Sequence, residues 1–307
     1  MKVNKKLYLD VMERQLGLWG GDGQDKIRRA HVAVGGLGGI GAVSALMLAK
    51  TGIGRLTVCD RDIYEVENIV EQAFATHDSV GKPKAEVAAK EMGRHSSGSQ
   101  LAAFIADLSD RREAARLVAE ADILVSGVDN PWARLALAQA CRNRGIPMIV
   151  SANIGWSVMH TMYMPHGPGY GDSWQNIPGV HWKNGGPDIS DAQTIAAIEK
   201  DWKIWAAALS GFMFESLQKL LMENQTYYWY AAPQAYFAAS MGVLDALKYL
   251  VNKGHVTKFP EVFYYDMHAN RQLMWNELQE RHVELYEVWD RGADAVIDCV
   301  KRWQDAD

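Results

Sequence analysis

The chain has 307 residues, 48% hydrophobic and 22% charged, with a formal net charge of −5 at pH 7. That length can bury a large core, as one big α/β domain or two smaller ones, and the mild acidity excludes a basic nucleic-acid groove. Three cysteines, Cys59, Cys141 and Cys299, with no C-x-x-C pair, exclude a disulfide framework and a four-cysteine zinc site and point to a reducing, cytoplasmic setting.

The opening MKVNKKLYLDVMERQ has no apolar h-region, so no secretory signal is expected, and no uncharged stretch is long enough to span a membrane. HVAVG (31–35) predicts a short buried strand ending in glycines, followed by a helix over 40–51 that Gly52 and Gly54 stop. RLTVCD predicts a second strand, and 82–95 a helix with Pro83 in its first turn. LAAFIA (101–106) reads as a third strand, about 110–120 as a polar helix, ADILVSGVD as a fourth strand ending at Asp129, 131–144 as a helix, and IPMIVSA as a fifth strand. Strands alternating with helices of this length imply a doubly wound, mostly parallel α/β sheet.

After residue 155 the pattern changes. WSVMHTMYMP alternates and predicts a strand antiparallel to the others, while the glycine-rich stretch 165–188 reads as a long loop, a candidate lid or substrate loop. Helices are expected over 190–225 and 233–253, a strand at PEVFYYDM, and a charged, surface-packed helical tail over 275–304. The organisation expected is an ATP-binding half, 1–155, and a substrate and dimer half, 156–307, of one compact domain.

Gly36-Leu37-Gly38-Gly39-Ile40-Gly41 satisfies G-x-G-x-x-G between a strand and a helix. Glycine there lets backbone amides approach phosphate, and the helix N-terminus adds positive potential. Asp60, at the end of the second strand, is placed to bond a ribose hydroxyl. These two features equally fit an NAD-dependent oxidoreductase. ERQLGLWG before the first strand, VGKPKAE with Lys84 at a helix start, and Gly127-Val128-Asp129-Asn130 with Arg134 go further. In an open parallel sheet the carboxyl ends of strands one, two and four line one crevice, so Asp129 and Lys84 would flank a triphosphate.

With ERQLGLWG, GLGGIG, Asp60-Arg61-Asp62, ENIVEQ, VGKPKAE and GVDNPWAR in order, the chain resembles the ThiF/MoeB/E1 superfamily of adenylating enzymes, activators of ubiquitin-like proteins and sulfur carriers. The resemblance runs from about Glu13 to Ser151, with a weaker echo over 233–270. It implies a Rossmann-like, mostly parallel sheet with C-terminal antiparallel strands and helices. It also implies that Gly36, Gly38, Gly39, Gly41, Asp60, Asp62, Asn68, Gln72 and Asn130 hold ATP, that Lys84 contacts phosphates, and that Asp129 binds Mg²⁺. Arg14 matches an arginine that reaches into the ATP site of a dimer partner, so a homodimer is expected. The implied reaction is attack of a C-terminal carboxylate, of a small carrier protein or a peptide, on the α-phosphate. No nucleic-acid or membrane partner is expected.

The sequence departs from the family at Asn68-Ile69-Val70-Glu71-Gln72, where the usual pattern is N-L-N-R-Q. Glu71 thus reverses a charge near the triphosphate. A like-charge contact at about 4 Å is worth about 4 kcal/mol at an effective dielectric of 20. Three placements stay open: turned away from the phosphates, helping to hold Mg²⁺, or binding a cationic part of the substrate. Loss of adenylation, as in a non-catalytic partner subunit, is the fourth reading.

The family's catalytic cysteine is missing from the long loop, and all three cysteines read as packing residues. His160, His166 and His181 read as solvated loop histidines rather than a metal site. Nine of the 11 tryptophans follow residue 151, which suggests aromatic surfaces in the second half, with Trp174 and Trp182 as candidates for a substrate groove.

Overall fold

The computed structural model describes residues 5–172, 177–183, 186–188, 190–209, 231–268, 270–273 and 275–306. In chain order its elements are α1 (Lys5–Arg29), β1 (His31–Gly35), α2 (Gly39–Lys50), β2 (Arg55–Cys59), α3 (Lys84–His95), β3 (Gln100–Phe104), α4 (Arg111–Val118), β4 (Ile123–Ser126), α5 (Pro131–Arg144), β5 (Met148–Ile154) and β6 (Ser157–Tyr163). They continue with β7 (Trp182–Lys183), β8 (Gly186–Pro187), α6 (Ala192–Leu209), α7 (Ala232–Val251), β9 (Phe263–Asp266), β10 (Arg271–Leu273), α8 (Trp275–Val288) and α9 (Ala293–Ala306). Two compact units share the chain: Met1–Ala152 with His160–Pro168 and Ala231–Pro260, and Asn153–Met159 with Gly169–Tyr230 and Glu261–Asp307.

In the larger unit β3, β2, β1, β4 and β5 lie side by side in that order, all parallel. Every residue of β1 and β4 is buried, as an apolar run covered on both faces should be. Helix α2 packs against α7 and α3, and α4 against α5. The core runs through Val32 and Val34 of β1, Leu48 of α2, Leu56 and Val58 of β2, Met92 of α3 and Ala246 of α7. Burying a side chain of this size stabilises the fold by about 1.5–3 kcal/mol.

Helix α1 carries the ERQLGLWG motif and is interrupted at Gly20, whose φ is 74°. Its buried Tyr8, Met12, Trp19 and Ile27 pack inward, and polar bonds add to that packing. Trp19 Nε1 donates to Gln24 Oε1 at 2.9 Å, Gln24 Nε2 to the Tyr8 hydroxyl at 2.7 Å, and Tyr8 in turn to the Gly52 carbonyl at 2.7 Å. Gln15 Nε2 reaches both Gln24 Oε1 and the Thr51 carbonyl at 2.8 Å. These bonds fix α1 to the turn between α2 and β2.

In the smaller unit β9 and β10 pair antiparallel, as do the two-residue strands β7 and β8. The Tyr264 hydroxyl is buried and donates to Ser157 Oγ at 2.6 Å. The charged C-terminal segment is two helices with an apolar stripe: Leu285, Val296, Cys299 and Val300 are buried together with Ile204, Ala207 and Ala208 of α6. The i, i+3, i+4 spacing of Val296, Cys299 and Val300 turns one face of α9 into that core, so the tail is more than a surface layer. Of the helix expected over 190–225, α6 forms the described part; residues 210–230 lie outside the described residues, as do Trp174 and the run Tyr227-Tyr228-Trp229-Tyr230. The fold class is mixed α/β, a doubly wound parallel array with antiparallel C-terminal strands.

Candidate nucleotide site

The parallel register sets Gly35 beside Cys59 on one side and beside Ser126 on the other. Gly36, Asp60 and Gly127 therefore emerge level at the carboxyl edge. β2 and β4 flank β1, so the chain switches direction there, where open α/β sheets bind ligands. Gly36 has φ 82°, and a β-carbon on it would lie 2.8 Å from the Gly127 carbonyl carbon. A β-carbon on Gly41 would overlap the Gly36 carbonyl oxygen. These two glycines let loop, helix and β4 cross closely. Gly38 differs: a β-carbon there would meet only Gln72 Nε2, at 3.9 Å, so the cradle at the start of α2 is open.

Asp60 is buried and fastens this loop. One carboxylate oxygen accepts from the Leu37 amide at 2.5 Å and the other from the Asp62 amide at 2.8 Å. Burial pushes its carboxyl above the usual range, against the pull of those amides and of Lys84. Each oxygen keeps a second lone pair, so a ribose hydroxyl can still donate to it. Lys84, the buried first residue of α3, lies 3.9 Å from Asp62 Oδ2 and 5.9 Å from the centre of the Tyr64 ring. Asn68 lies in the 3₁₀ turn Val66–Val70 after β2, and Gln72 follows it. Asn68 Oδ1 accepts from the Glu65 amide at 3.0 Å, a local cap, while Gln72 is buried.

Glu71 is turned inward. Its side chain is buried, and Oε1 accepts from Gln72 Nε2 at 2.9 Å. A β-carbon on Gly39 would overlap Oε2, so the carboxylate touches the first turn of α2. Burial raises its pKa, and Gln72 and Lys84 act in the opposite direction. The carboxylate lies against the glycine loop rather than pointing away from it. Tyr64 hydroxyl, Glu71 Oε2 and Gln72 Oε1 are buried without a hydrogen-bond partner among the described residues. Three orphaned polar atoms beside an open glycine cradle fit a polar ligand. Tyr64 was not among the residues picked from the sequence, because no motif spacing marks it.

Asp129 is exposed beyond β4. Asn130 caps α5, its Oδ1 accepting from the Trp132 and Ala133 amides at 2.8 and 3.3 Å, so its oxygen is committed to the helix. Arg134 Nη2 donates to the Val128 carbonyl at 2.5 Å and stays in the fold. Arg61 is bound to Asp107 at 2.7 Å, with Asp62 3.5 Å away, so its charge is already shared. Among the described residues no group of three or more His, Cys, Asp or Glu gathers as a metal site. Arg14 is exposed on α1 between exposed Val11 and Leu18, with no ion pair among the described residues, while Gln15 and Trp19 of the same motif face inward.

The histidines correct one expectation. His160 is buried in β6, with Nε2 3.1 Å from Asp245 Oδ2. Asp245 also meets Lys248 Nζ at 2.8 Å and the Thr257 amide at 2.8 Å. Burial alone would raise the Asp245 pKa, but the bonds from His160, Lys248 and Thr257 outweigh it and hold it well below the usual range. The alternation of WSVMHTMYMP had placed His160 on a strand, and its inward register was the missed signal. His166 is exposed; His181, also exposed, pairs with Asp191 at 3.0 Å. All three cysteines are buried. Burial pushes the Cys59 thiol up to about 12 and raises those of Cys141 and Cys299, the opposite of an activated nucleophile.

Among relatives, the chain is 34% identical over 151 residues to the SAMP-activating enzyme E1 of Haloferax volcanii, covering 49% of this chain and 56% of that one. It is 32% identical over 133 residues to the molybdopterin-synthase adenylyltransferase of Escherichia coli K12, covering 43% and 53%. The matched segments thus span about half the length of these two relatives. The crystal structure of PaaA superposes with a TM-score of 0.65 at 20% identity, covering 89% of this chain and 74% of that one. That of E. coli MccB with ATP gives 0.65 at 20%, covering 86% and 70%. These two likenesses show the fold. The family model described as "ThiF family" matches residues 12–287, and the chain belongs to that family.

Proposed function

We propose that the chain uses ATP to adenylate a carboxylate, the C-terminus of a small carrier protein or peptide, and passes the activated acyl group to an external nucleophile. The observation that carries this reading is the open glycine cradle at the α2 N-terminus, with Asp60, Lys84 and three orphaned polar atoms around it. The names of the relatives, a SAMP-activating enzyme E1 and a molybdopterin-synthase adenylyltransferase, support the substrate class.

In this reading Asp60 holds the ribose and keeps the Leu37 amide in place. The free amides at the start of α2 receive phosphate oxygens, and Lys84 offsets their charge. Gly38, Gly39, Asn68 and Gln72 shape the cradle. A carboxylate oxygen of the substrate attacks the α-phosphorus; that P–O bond forms as the bond to pyrophosphate breaks. The protein supplies alignment and charge, with no covalent step on the chain. Asp129 would hold Mg²⁺, which would neutralise phosphate charge. A second copy of the chain would bring Arg14, which is exposed on α1 beside exposed Val11 and Leu18.

A second reading, a non-catalytic subunit that lends Arg14 to an active partner, is favoured by one observation: a carboxylate stands at the glycine loop where the family arginine would be. Incubation with ATP, Mg²⁺ and carrier proteins or peptides encoded beside its gene tests both. Pyrophosphate release supports adenylation. Absence of ATP binding in calorimetry supports the partner role.

A further inference from the structure

The inward Glu71 has to be reconciled with phosphate, and this inference rests on the nucleotide reading above. Its side chain is 8% exposed, Gln72 occupies Oε1, and Oε2 faces Gly39 with no hydrogen-bond partner among the described residues. The groups around it are few. Lys84 approaches from α3, Tyr236 from α7 and Tyr64 from the segment after β2. The first turn of α2, Gly39-Ile40-Gly41, brings no titratable side chain. Asp60 is the second acid on the same tyrosine, and Lys84, the one cation among the described residues acting on Glu71, also acts on Asp60 and Asp62.

An ionised Glu71 would meet phosphate with acceptors on both sides and no proton between them. A carboxylic acid has the missing donor. We propose that Glu71 enters the nucleotide complex as the neutral acid, its proton carried on Oε2 and donated to a phosphate oxygen at the α2 N-terminus. Gln72 Nε2 already holds Oε1 as the acceptor, which leaves Oε2 to carry the proton. Burial, which lifts the Glu71 pKa in the free protein, works in the same direction, and an adjacent phosphate lifts it further. ATP binding then takes up a proton, and affinity strengthens as pH falls, by up to about tenfold per pH unit between the free and bound pKa values.

The test is calorimetric titration of the full chain with Mg²⁺-ATP at about pH 6, 7 and 8, in two buffers of different ionisation enthalpy at each pH. For the wild type we expect tighter binding at lower pH and proton uptake of up to about one per ATP. Glu71→Gln carries a permanent N–H donor in the same shape, so it should bind with the wild type's low-pH affinity at every pH and lose the extra uptake. The terminal phosphate of ATP titrates equally in both proteins, so the difference isolates Glu71. Equal uptake in both, or weaker binding by Glu71→Gln than by the wild type at about pH 6, overturns the proposal alone. No ATP binding by the wild type at any pH overturns the nucleotide reading and the proposal with it. The wild-type buffer comparison stands even where the variant fails to fold, since binding without uptake beyond that of ATP itself refutes the proposal.

Discussion

The Glu71 carboxyl titrates higher in the folded chain than in the unfolded one, because burial disfavours its charge. Its contribution to stability is therefore present below the unfolded value of about pH 4.3 and lost as pH rises through the folded pKa. Above the folded pKa, the charged carboxylate in this buried position is a local cost to stability. Glu71→Gln should raise the stability of the nucleotide-free protein at about pH 7 by about 1 kcal/mol, read as a higher melting temperature, and change little at about pH 4. Equal melting curves at neutral pH would contradict this. Arg14 and Asp129 are both exposed, so alanine at either should leave folding intact. Arg14→Ala is expected to lower turnover at least tenfold while sparing ATP affinity; Asp129→Ala should abolish turnover. Steady-state rates beside calorimetric affinities check both, and an active Asp129 variant would refute the magnesium assignment. At this scale the sequence displays which residue types gather, since motif spacing records strand ends. It does not display the direction of Glu71, the unmarked Tyr64, or the commitment of Asn130 to capping α5, because those depend on packing after the chain turns.

At the scale of elements, close crossings and buried polar bonds set the geometry. A methyl group on Gly41 would collide with the Gly36 carbonyl, backbone against backbone, so no side chain can rotate to relieve it. Gly41→Ala should cost about 1–3 kcal/mol and weaken ATP binding together with stability, as read from the urea midpoint and calorimetry. An unchanged midpoint would show that α2 shifts freely. The larger unit also depends on Asp245 of α7, which joins His160, Lys248 and Thr257. Asp245→Ala strips buried His160 of this carboxylate and should cost about 3 kcal/mol. Because the folded pKa of Asp245 lies below the unfolded one, its contribution is present above about pH 3.9 and lost as pH falls through the folded value. The difference between wild type and variant should shrink in acid. The alternating strands and helices were legible because their hydrophobic periods differ. Helix α1 was not: the glycines at 17, 20, 21 and 23 interrupt the run of its buried Tyr8, Met12, Trp19 and Ile27, and Gln15 and Gln24 anchor it by polar bonds that carry no apolar period.

Across the whole molecule the chemistry is concentrated. Every residue picked from the sequence as a nucleotide, metal or cross-dimer contact lies in the larger unit. Among the described residues the smaller unit contributes two short antiparallel strand pairs and three helices, with Trp205 stacked on His282 at 4.1 Å and Asp201 bonded to that histidine at 2.9 Å. Its tryptophans were visible as a composition bias, but composition cannot tell a groove from a core. No described helix is long and apolar enough to cross a membrane. The family was legible from motif order because GLGGIG, Asp60-Arg61-Asp62, VGKPKAE and GVDNPWAR sit at strand ends or helix starts, where spacing is fixed by the sheet.

The central claim, formation of an acyl adenylate, is tested most directly by isotope exchange. The protein is incubated with ATP, Mg²⁺, labelled pyrophosphate and each small protein or peptide encoded beside its gene. The account predicts label entering ATP only when the matching C-terminal carboxylate is present, and none with Lys84→Ala or Asp129→Ala. Tight ATP binding with no exchange for any of these substrates would contradict it.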